Sequence, residues 1–360
     1  MATPAPNASA SSATPAAPLG QQPIVIQTHG TFHRVVGWIG WLGFGICALL
    51  LMGYVSSFAE YFNTTGGVSE RYHSGAKFGS DKVAIIDVSG VIMEGDGFVK
   101  QQIDLIREDE HVKAVVVRVE SPGGTVTGSD YIFHHLRKLK KDRGLKLVVS
   151  MGSIAASGGY YVSMAVGDEE KAIFAEPTST TGSIGVIIPH YDITKLMERF
   201  DVRDDSIASH PRKQMLSMTK ALSEDDRKIL QEYVNESFNR FKEIVREGRP
   251  KLAKDDEALT RLATGEVFTA GQALRHGLVD EIGFIEDAID RATSLAGLEK
   301  ENVRVVRYQR PPSLFGLSGF AQTRAASNAT DLTTLLELSA PRAYYLASSL
   351  PTLITSRRAD

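Results

Sequence analysis

Cysteine is almost absent from this sequence of 360 residues, whose only thiol is that of Cys47. An intrachain disulfide is therefore impossible, and a hydrophobic core must stabilise the fold. An excess of positive charge is also lacking, since 40 Lys and Arg residues stand against 43 Asp and Glu, a formal net charge of −3. That balance argues against a dedicated nucleic-acid-binding protein. The hydrophobic fraction of 42% is ordinary for a globular protein, so most of the chain should bury a core.

Charged side chains are missing from two N-terminal stretches. Met1 to Gln22 is rich in Ala, Pro, Ser and Thr, and because such a stretch buries little apolar surface, we expect a disordered tail over residues 1–34. Val35 to Phe58 is strongly apolar, and as a helix it would be roughly 36 Å long, enough to span a bilayer. Its length, its late start and the lack of a small-residue cleavage site argue against a cleaved signal peptide.

The flanks of this predicted transmembrane helix indicate its orientation. Arg34 precedes it with no acidic residue nearby, whereas Glu60 and Glu70 follow it. The positive flank favours a cytoplasmic N-terminus and places the bulk of the chain outside the cytoplasm. Residues 59–81 contain Gly, Ser, Thr and Asn, and we expect them to form a linker.

From Lys82 onward the pattern changes to alternating strands and helices. Val112–Val119 (VKAVVVRV) is rich in β-branched residues and predicts a buried strand, and Leu145 to Ser150 predicts another. Strands and helices that alternate at this spacing form parallel βαβ units with right-handed crossovers. The sequence therefore predicts an α/β domain over residues 82–310.

Helix boundaries follow from capping residues. Ser129 is expected to cap a helix that runs to Lys141, and Ser223 to start a long amphipathic helix that ends at Gly248. The tail over residues 311–360 mixes apolar and small residues. We expect it to pack on the domain or on a neighbouring subunit.

Small residues surround Ser157 in the segment Met151 to Tyr161, MGSIAASGGYY. A serine between a strand and a helix exposes its hydroxyl, and the neighbouring N–H groups point outward, where they can stabilise an anion. This arrangement is typical of a nucleophile, although tight helix–sheet packing explains such runs more often than catalysis does. The segment lacks the G-x-S-x-G elbow of the α/β-hydrolases, so that class is excluded.

Pro122-Gly123-Gly124 forms a turn at the carboxyl end of the strand Val112–Val119. Ligand sites of open α/β sheets form at such strand ends, and backbone N–H groups released there can bind an oxyanion. A plain strand-to-helix turn is the alternative interpretation.

The general base is not evident from the local pattern. His134 and His135 lie on a helix with many basic residues, where a solvated face explains them, and His190 and His210 adjoin prolines without an acidic partner. A lysine shielded from water is the other option, because desolvation favours its neutral, proton-accepting form. Lys213 is a candidate by position.

Five segments together resemble the signal peptide peptidase A (SppA) family, membrane-anchored serine proteases of the superfamily that includes the Clp protease and crotonase folds. The resemblance runs from about Val83 to about Ala288, in order and at the family's spacing. The segments are ESPGG at 120–124, MGSIAASGGYY at 151–161, IFAEP at 173–177, TGSIGV at 181–186 and GLVD at 277–280. The resemblance implies a Clp protease/crotonase-like fold of repeated βαβ units, preceded by one transmembrane helix.

The resemblance also implies a serine endopeptidase with a Ser/Lys dyad. The residues that match the family's site are the nucleophile Ser157, the general base Lys213, its hydrogen-bonding partner Ser183, and the oxyanion-hole glycines Gly124 and Gly158. The loop around Lys213 departs from the family pattern on both flanks, and Lys220 is the alternative base.

The implied function is the degradation of remnant signal peptides and other short hydrophobic peptides, without a metal or organic cofactor. The implied setting is the inner (cytoplasmic) membrane, with a homo-oligomeric catalytic domain on the periplasmic or extracellular side. Two alternatives stay open: a protease of the same family for membrane-protein quality control, and a catalytically inactive scaffold. An acyl-CoA enzyme of the crotonase type fits less well, because it needs no serine nucleophile and rarely has a membrane anchor.

Overall fold

The computed structural model describes residues 31–61, 67–310 and 343–346, and the chain divides into two compact units after Phe62. The first unit contains helix α1, Thr31–Tyr61. Its stretch Val36–Val55, of mean hydropathy 1.9, is the one helix in the described ranges that is long and apolar enough to cross a membrane. The predicted apolar helix is therefore present, whereas residues 1–30 of the predicted tail lie outside the described residues.

The second unit is built on a mostly parallel sheet with the strand order β1-β10-β2-β3-β5-β6-β9. Strand β7 pairs with β5 and β8 with β7, and only the β1–β10 and β7–β8 pairs of this sheet are antiparallel. A separate antiparallel pair joins β4 to β11. The strands are β1 Ser69–Gly75, β2 Asp81–Ser89, β3 Val112–Ser121, β4 Gly123–Thr125, β5 Lys146–Ala156, β6 Ile173–Ala175, β7 Thr180–Gly182, β8 Val267–Thr269, β9 Glu281–Ile282, β10 Val303–Gln309 and β11 Tyr344–Leu346.

Helices connect the strands and cover both faces of the sheet. They are α2 Phe98–Glu108, α3 Val126–Arg143, α4 Gly158–Ser163, α5 Thr194–Arg199, α6 Glu224–Gly248, α7 Pro250–Ala253, α8 Asp256–Leu262, α9 Ala270–Arg275 and α10 Ile285–Leu295. Short 3₁₀ turns follow α4, precede β10 and span Pro211–Gln214.

Strand β3 shows how the core divides into two layers. Its residues Val115 and Val117 belong to the larger apolar cluster, which includes side chains of α2, α3, α4 and α6. Its residues Ala114 and Val116 point the other way and pack with Ala288 of α10. Both faces of the strand are buried, which is why its sequence is a nearly continuous apolar run. The predicted α/β fold of parallel βαβ units is confirmed.

Two local expectations were wrong. The helix predicted to start at Ser129 begins earlier, because the Thr125 side chain accepts a hydrogen bond from the Gly128 N–H at 3.0 Å and caps it. Ser129 lies inside the helix, and its hydroxyl donates to the Thr125 carbonyl at 2.9 Å. The expected linker contains β1, which pairs with β10 from Ser69 to Gly75 with a register shift between Tyr72 and Ser74. Strand β1 is largely exposed and polar, so it lacks the apolar alternation that would predict it.

Candidate active site

Ser157 lies between the end of β5 and the start of α4. Its φ of 54° and ψ of −114° form a conformation that costs a residue with a side chain on the order of 1–3 kcal/mol. Two backbone hydrogen bonds hold the turn: the Ser157 N–H donates to the Gly182 carbonyl at 2.7 Å, and the Ser157 carbonyl accepts from the Tyr161 N–H at 2.8 Å. The strand, serine and helix therefore follow one another as the sequence predicts.

The hydroxyl of Ser157 is buried without a hydrogen bond. The residue is 1% exposed, and its Oγ has no partner in the part of the chain that the structure describes. Buried polar groups are almost always paired, so an unpaired hydroxyl at a strained turn needs an explanation. A buried hydroxyl without a hydrogen bond is expected of a nucleophile whose general base and substrate are supplied by other molecules.

A bulge in β5, held by Glu120, brings the chain to Ser157. Between two consecutive pairings of β3 with β5, Val119↔Met151 and Ser121↔Ala155, β5 contains extra residues. The Glu120 carboxylate accepts hydrogen bonds from the N–H groups of Ser153 at 2.9 Å and Ile154 at 3.2 Å, and from the Ser153 hydroxyl. Glu120 is therefore a positioning residue that sequence reasoning missed, although it is the first residue of the quoted ESPGG segment.

Glycines allow three backbone segments to meet beside Ser157. Gly123 has a φ of +104°, and a Cβ there would lie 2.7 Å from the Gly158 nitrogen. A Cβ on Gly158 would lie 3.1 Å from the Gly124 nitrogen, and one on Gly124 would lie 1.9 Å from the Ile92 carbonyl oxygen. These contacts leave no room for side chains. The two predicted oxyanion-hole glycines, Gly124 and Gly158, are thus neighbours next to the nucleophile candidate.

Ser183 lies beside Ser157 because their strands are parallel neighbours. The last pairing of β5 with β7 is Ala156↔Gly182, and the residue that follows the end of each strand is a serine. Ser183 is 5% exposed, and like Ser157 it has a positive φ, of 52°. Its N–H donates to the Glu266 carbonyl at 2.6 Å.

Lys213 is not joined to this group. It lies in the exposed 3₁₀ turn Pro211–Gln214, and since Ser157 Oγ has no partner, Lys213 does not hydrogen-bond to it. The alternative lysine, Lys220, is also exposed, and its amine donates to the Gln214 side chain. The structure brings four predicted site residues together and leaves the predicted base outside.

The two tyrosines after the glycines anchor α4 in the core. The Tyr160 hydroxyl donates to the Leu278 carbonyl at 2.9 Å, and the Tyr161 hydroxyl donates to Asp130 at 2.5 Å. Burial raises the pKa of both tyrosines, and for Tyr161 the hydrogen bond to Asp130 raises it further. Both therefore stay neutral donors at physiological pH, which holds the helix that begins directly after Ser157.

The GLVD segment has a structural role that its sequence does not reveal. Its last residue, Asp280, forms a paired contact with the guanidinium of Arg249, at 2.7 and 3.0 Å, and accepts from the N–H groups of Ala172 and Ile173 at 3.0 Å each. Burial alone would raise the pKa of Asp280, but Arg249 and the backbone donors outweigh it and hold that pKa below the usual value. The segment thereby secures the start of β6.

A strand from the predicted tail lies against the glycine turn. In β11, Tyr344 pairs with Thr125, Tyr345 with Gly124 and Leu346 with Gly123. Local sequence could not show this, because the partner strand is distant in the chain. The rest of the tail lies outside the described residues, so the expectation that it packs on a neighbouring subunit stays untested.

Residues 139–299 match the model of the peptidase family S49, and they include Ser157, Ser183 and Lys213. A candidate signal peptide peptidase SppA of Enterococcus faecium is 32% identical over 311 residues, which cover 77% of this chain and 86% of that protein. The chain belongs to peptidase family S49.

Two further relatives are similar over about two thirds of this chain. A candidate protease of Synechocystis sp. is 36% identical over 233 residues, 65% of this chain and 81% of that protein. Protease 4 of Salmonella typhi is 33% identical over 243 residues, 65% of this chain but 38% of that longer protein. The resemblance to the SppA family and its Clp protease/crotonase-like fold is confirmed, and the chain is a peptidase.

Proposed function

We propose that this S49 peptidase is a serine endopeptidase with Ser157 as its nucleophile. The observation that carries the proposal is the buried, unpaired Ser157 Oγ in a strained turn beside the N–H groups of Gly124 and Gly158. Oγ attacks the peptide carbonyl carbon while a base takes its proton, and the two glycine N–H groups stabilise the oxyanion. Collapse breaks the C–N bond, the base returns the proton to the leaving amine, and water then hydrolyses the acyl ester.

The proposed base is Lys213 of a second subunit. Lys213 is exposed, and the Ser157 hydroxyl of the same chain has no hydrogen-bond partner among the described residues, so the dyad is incomplete within one chain. The segment before Lys213 also exposes large apolar side chains, with Tyr191 at 64%, Phe200 at 73% and Ile207 fully exposed. Several large exposed apolar side chains in one segment favour burial against another protein surface. Packing against a neighbouring copy would bury these side chains and shield the lysine from water.

A serine-directed fluorophosphonate probe tests the nucleophile. The wild-type protein should be labelled, and Ser157→Ala should lose both labelling and roughly 10³-fold or more of its peptidase activity. Lys213→Ala should lower the peptidase activity at least about 10²-fold. Lys220→Ala, the matched control in the same loop, should keep the wild-type activity. A wild-type protein that is never labelled would instead support an inactive scaffold.

Mixing inactive variants tests whether the base crosses a subunit interface. If Ser157 and Lys213 come from different subunits, co-refolded Ser157→Ala and Lys213→Ala chains form some intact pairs. Each site needs Ser157 from one subunit and Lys213 from its neighbour, and in an equal mixture half of the subunits carry each residue. Random mixing should therefore restore about a quarter of the wild-type rate. A dyad within one chain predicts no recovery at all.

The proposed substrates are short hydrophobic peptides, including remnant signal peptides. Among the described residues, a groove of about 770 Å³ lies beside Ala343 and has the apolar lining residues Ile188, Leu216 and Leu230. Vesicle-reconstituted protein should cleave signal peptides faster than polar peptides of equal length.

We further propose that α1 anchors the protein in the cytoplasmic membrane with the peptidase domain outside the cytoplasm. Protease treatment of intact spheroplasts should digest the domain, and full protection would contradict the orientation.

A further inference from the structure

The segment that carries Lys213, residues 191–220, has no core of its own. We call it the lysine arm. All of its side chains are exposed or only partly buried. Its two ends are joined near the base, where the Ile193 N–H donates to the Met218 carbonyl at 2.9 Å. A segment without buried side chains depends on its polar contacts for order. The position of Lys213 is therefore set by hydrogen bonds.

Asp204 is the centre of these hydrogen bonds. One of its carboxylate oxygens accepts from the Ser206 N–H at 2.9 Å, and the other accepts from the Thr219 hydroxyl at 2.5 Å. Because the Thr219 proton points at Asp204, the Ser217 hydroxyl must donate to the Thr219 oxygen, at 2.6 Å. The hydrogen bonds from Ser206 and Thr219 lower the pKa of Asp204 to about 2. Asp204 is thus an ionised acceptor at neutral pH, and such acceptors form the stronger hydrogen bonds.

Two consecutive turns connect this group to Lys213. The Lys213 N–H donates to the His210 carbonyl at 3.0 Å, and the Ser217 N–H donates to the Gln214 carbonyl at 2.9 Å. The backbone from Lys213 to Ser217 is therefore ordered, and Ser217 is held in turn by Thr219 and Asp204. We call Asp204, Thr219 and Ser217 the Asp204 clamp.

A lysine base needs such a support. Its ammonium lies at the end of a flexible four-carbon stem, so the side chain by itself does not fix the position of the amine. A general base must come within hydrogen-bonding reach of the proton that it takes. The backbone that carries Lys213 must therefore be ordered before the lysine arm meets another subunit.

We propose that Asp204 is a positioning residue that acts through Thr219 to hold the Lys213 turn in the conformation that reaches Ser157 of a neighbouring copy. The inference rests on the proposed function, in which Lys213 is the base for a second subunit. Loss of the clamp leaves the nucleophile, the base and the peptide groove chemically intact. It should therefore lower kcat and leave KM unchanged.

Steady-state kinetics of four full-length variants test the clamp. Asp204→Ala and Thr219→Val should each lower kcat about tenfold, because a misplaced base loses much of its effect. Asp205→Ala is the matched control, since it removes the neighbouring exposed carboxylate, and Thr219→Ser is the conservative variant, since it keeps the hydroxyl. Both should keep the wild-type kcat. Melting temperature and subunit number in detergent should equal those of the wild-type protein in all four variants.

Three kinetic results would overturn the inference. The first is an unchanged kcat in Asp204→Ala, and the second is an equal loss in Asp205→Ala. The third is a fall in kcat that accompanies dissociation of the subunits, because lost contact between copies would then be the cause.

Mixing variants shows on which chain Asp204 acts. When Asp204→Ala is added to the Ser157→Ala chain, which supplies Lys213, recovery with Lys213→Ala chains should fall about tenfold below the expected quarter. When it is added to the Lys213→Ala chain instead, the quarter should remain. Equal recovery in the two mixtures would overturn the inference, because a general weakening of the fold acts from either chain. A parent mixture without recovery would contradict the base in trans, and the kinetics of the single variants would still decide whether Asp204 positions Lys213.

Discussion

Replacing Asp280 by asparagine removes one charge of a buried ion pair and leaves its partner in place. Arg249 is 7% exposed, and both of its terminal nitrogens contact the Asp280 carboxylate. Removing one member of such a pair costs about 3–5 kcal/mol of unfolding free energy, because the remaining charge stays buried without a counter-charge. For a domain of this size the loss corresponds to a melting temperature lower by on the order of 10 °C.

The effect of Asp280→Asn should depend on pH in one direction. The folded protein holds the pKa of Asp280 below its ordinary value of 3.8. The carboxylate therefore stabilises the fold fully at pH values above 3.8, and this stabilisation disappears as the pH falls through the folded-state pKa. The difference between wild type and Asp280→Asn should be greatest near neutral pH and shrink in acid.

Thermal unfolding in detergent, followed by circular dichroism at several pH values, measures the loss of stability in Asp280→Asn and its dependence on pH. Glu281→Gln is the matched control, since the neighbouring carboxylate pairs with Lys171 at 3.2 Å on the surface and should contribute less than about 1 kcal/mol. The reasoning fails if Asp280→Asn lowers the melting temperature no more than Glu281→Gln does. It also fails if the difference in melting temperature between wild type and Asp280→Asn grows toward acid pH. In either case the buried pair is not what stabilises the start of β6.

Three further predictions concern the site and its frame. Glu120→Gln should lower kcat by about tenfold or more with a small change in KM, because the bulge that leads to Ser157 loses its charged acceptor. Steady-state kinetics measure both constants, and an unchanged kcat would contradict the positioning role of Glu120. Gly123→Ala should abolish fluorophosphonate labelling, since its Cβ would collide with the Gly158 nitrogen. Glu70→Gln should lower the unfolding free energy by about 1 kcal/mol by breaking its 2.6 Å contact with Lys82, whereas no change would mean that this ion pair contributes little to the stability of the domain.

Much of the fold could be predicted because its signals are local. The β-branched run in β3 and the amphipathic pattern of α6 each occupy one continuous stretch, and the structure contains both elements. The boundaries were less predictable. Thr125 caps α3 instead of Ser129 because the chain leaves the glycine turn at Thr125, and turn geometry decides which side chain faces the first N–H groups.

Two peripheral strands could not be predicted in the same way. Strand β1 and strand β11 come from the expected linker and the expected tail. Each is recognisable only by its partner, β10 for the first and β4 for the second. Backbone pairing is largely independent of sequence, so a short strand with polar or mixed side chains shows no periodicity that would predict it.

The sequence by itself determined which serine stands in a strand-to-helix turn and that Gly158 follows it, because these features depend on residues that adjoin one another. Only the tertiary structure decided that Ser183 lies beside Ser157, that Glu120 holds the bulge, that Tyr345 lies at the glycine turn, and that Lys213 stays outside hydrogen-bonding reach of its own Ser157. Those relations join segments far apart in the chain. They depend on strand order and register, which the packing of the whole domain sets.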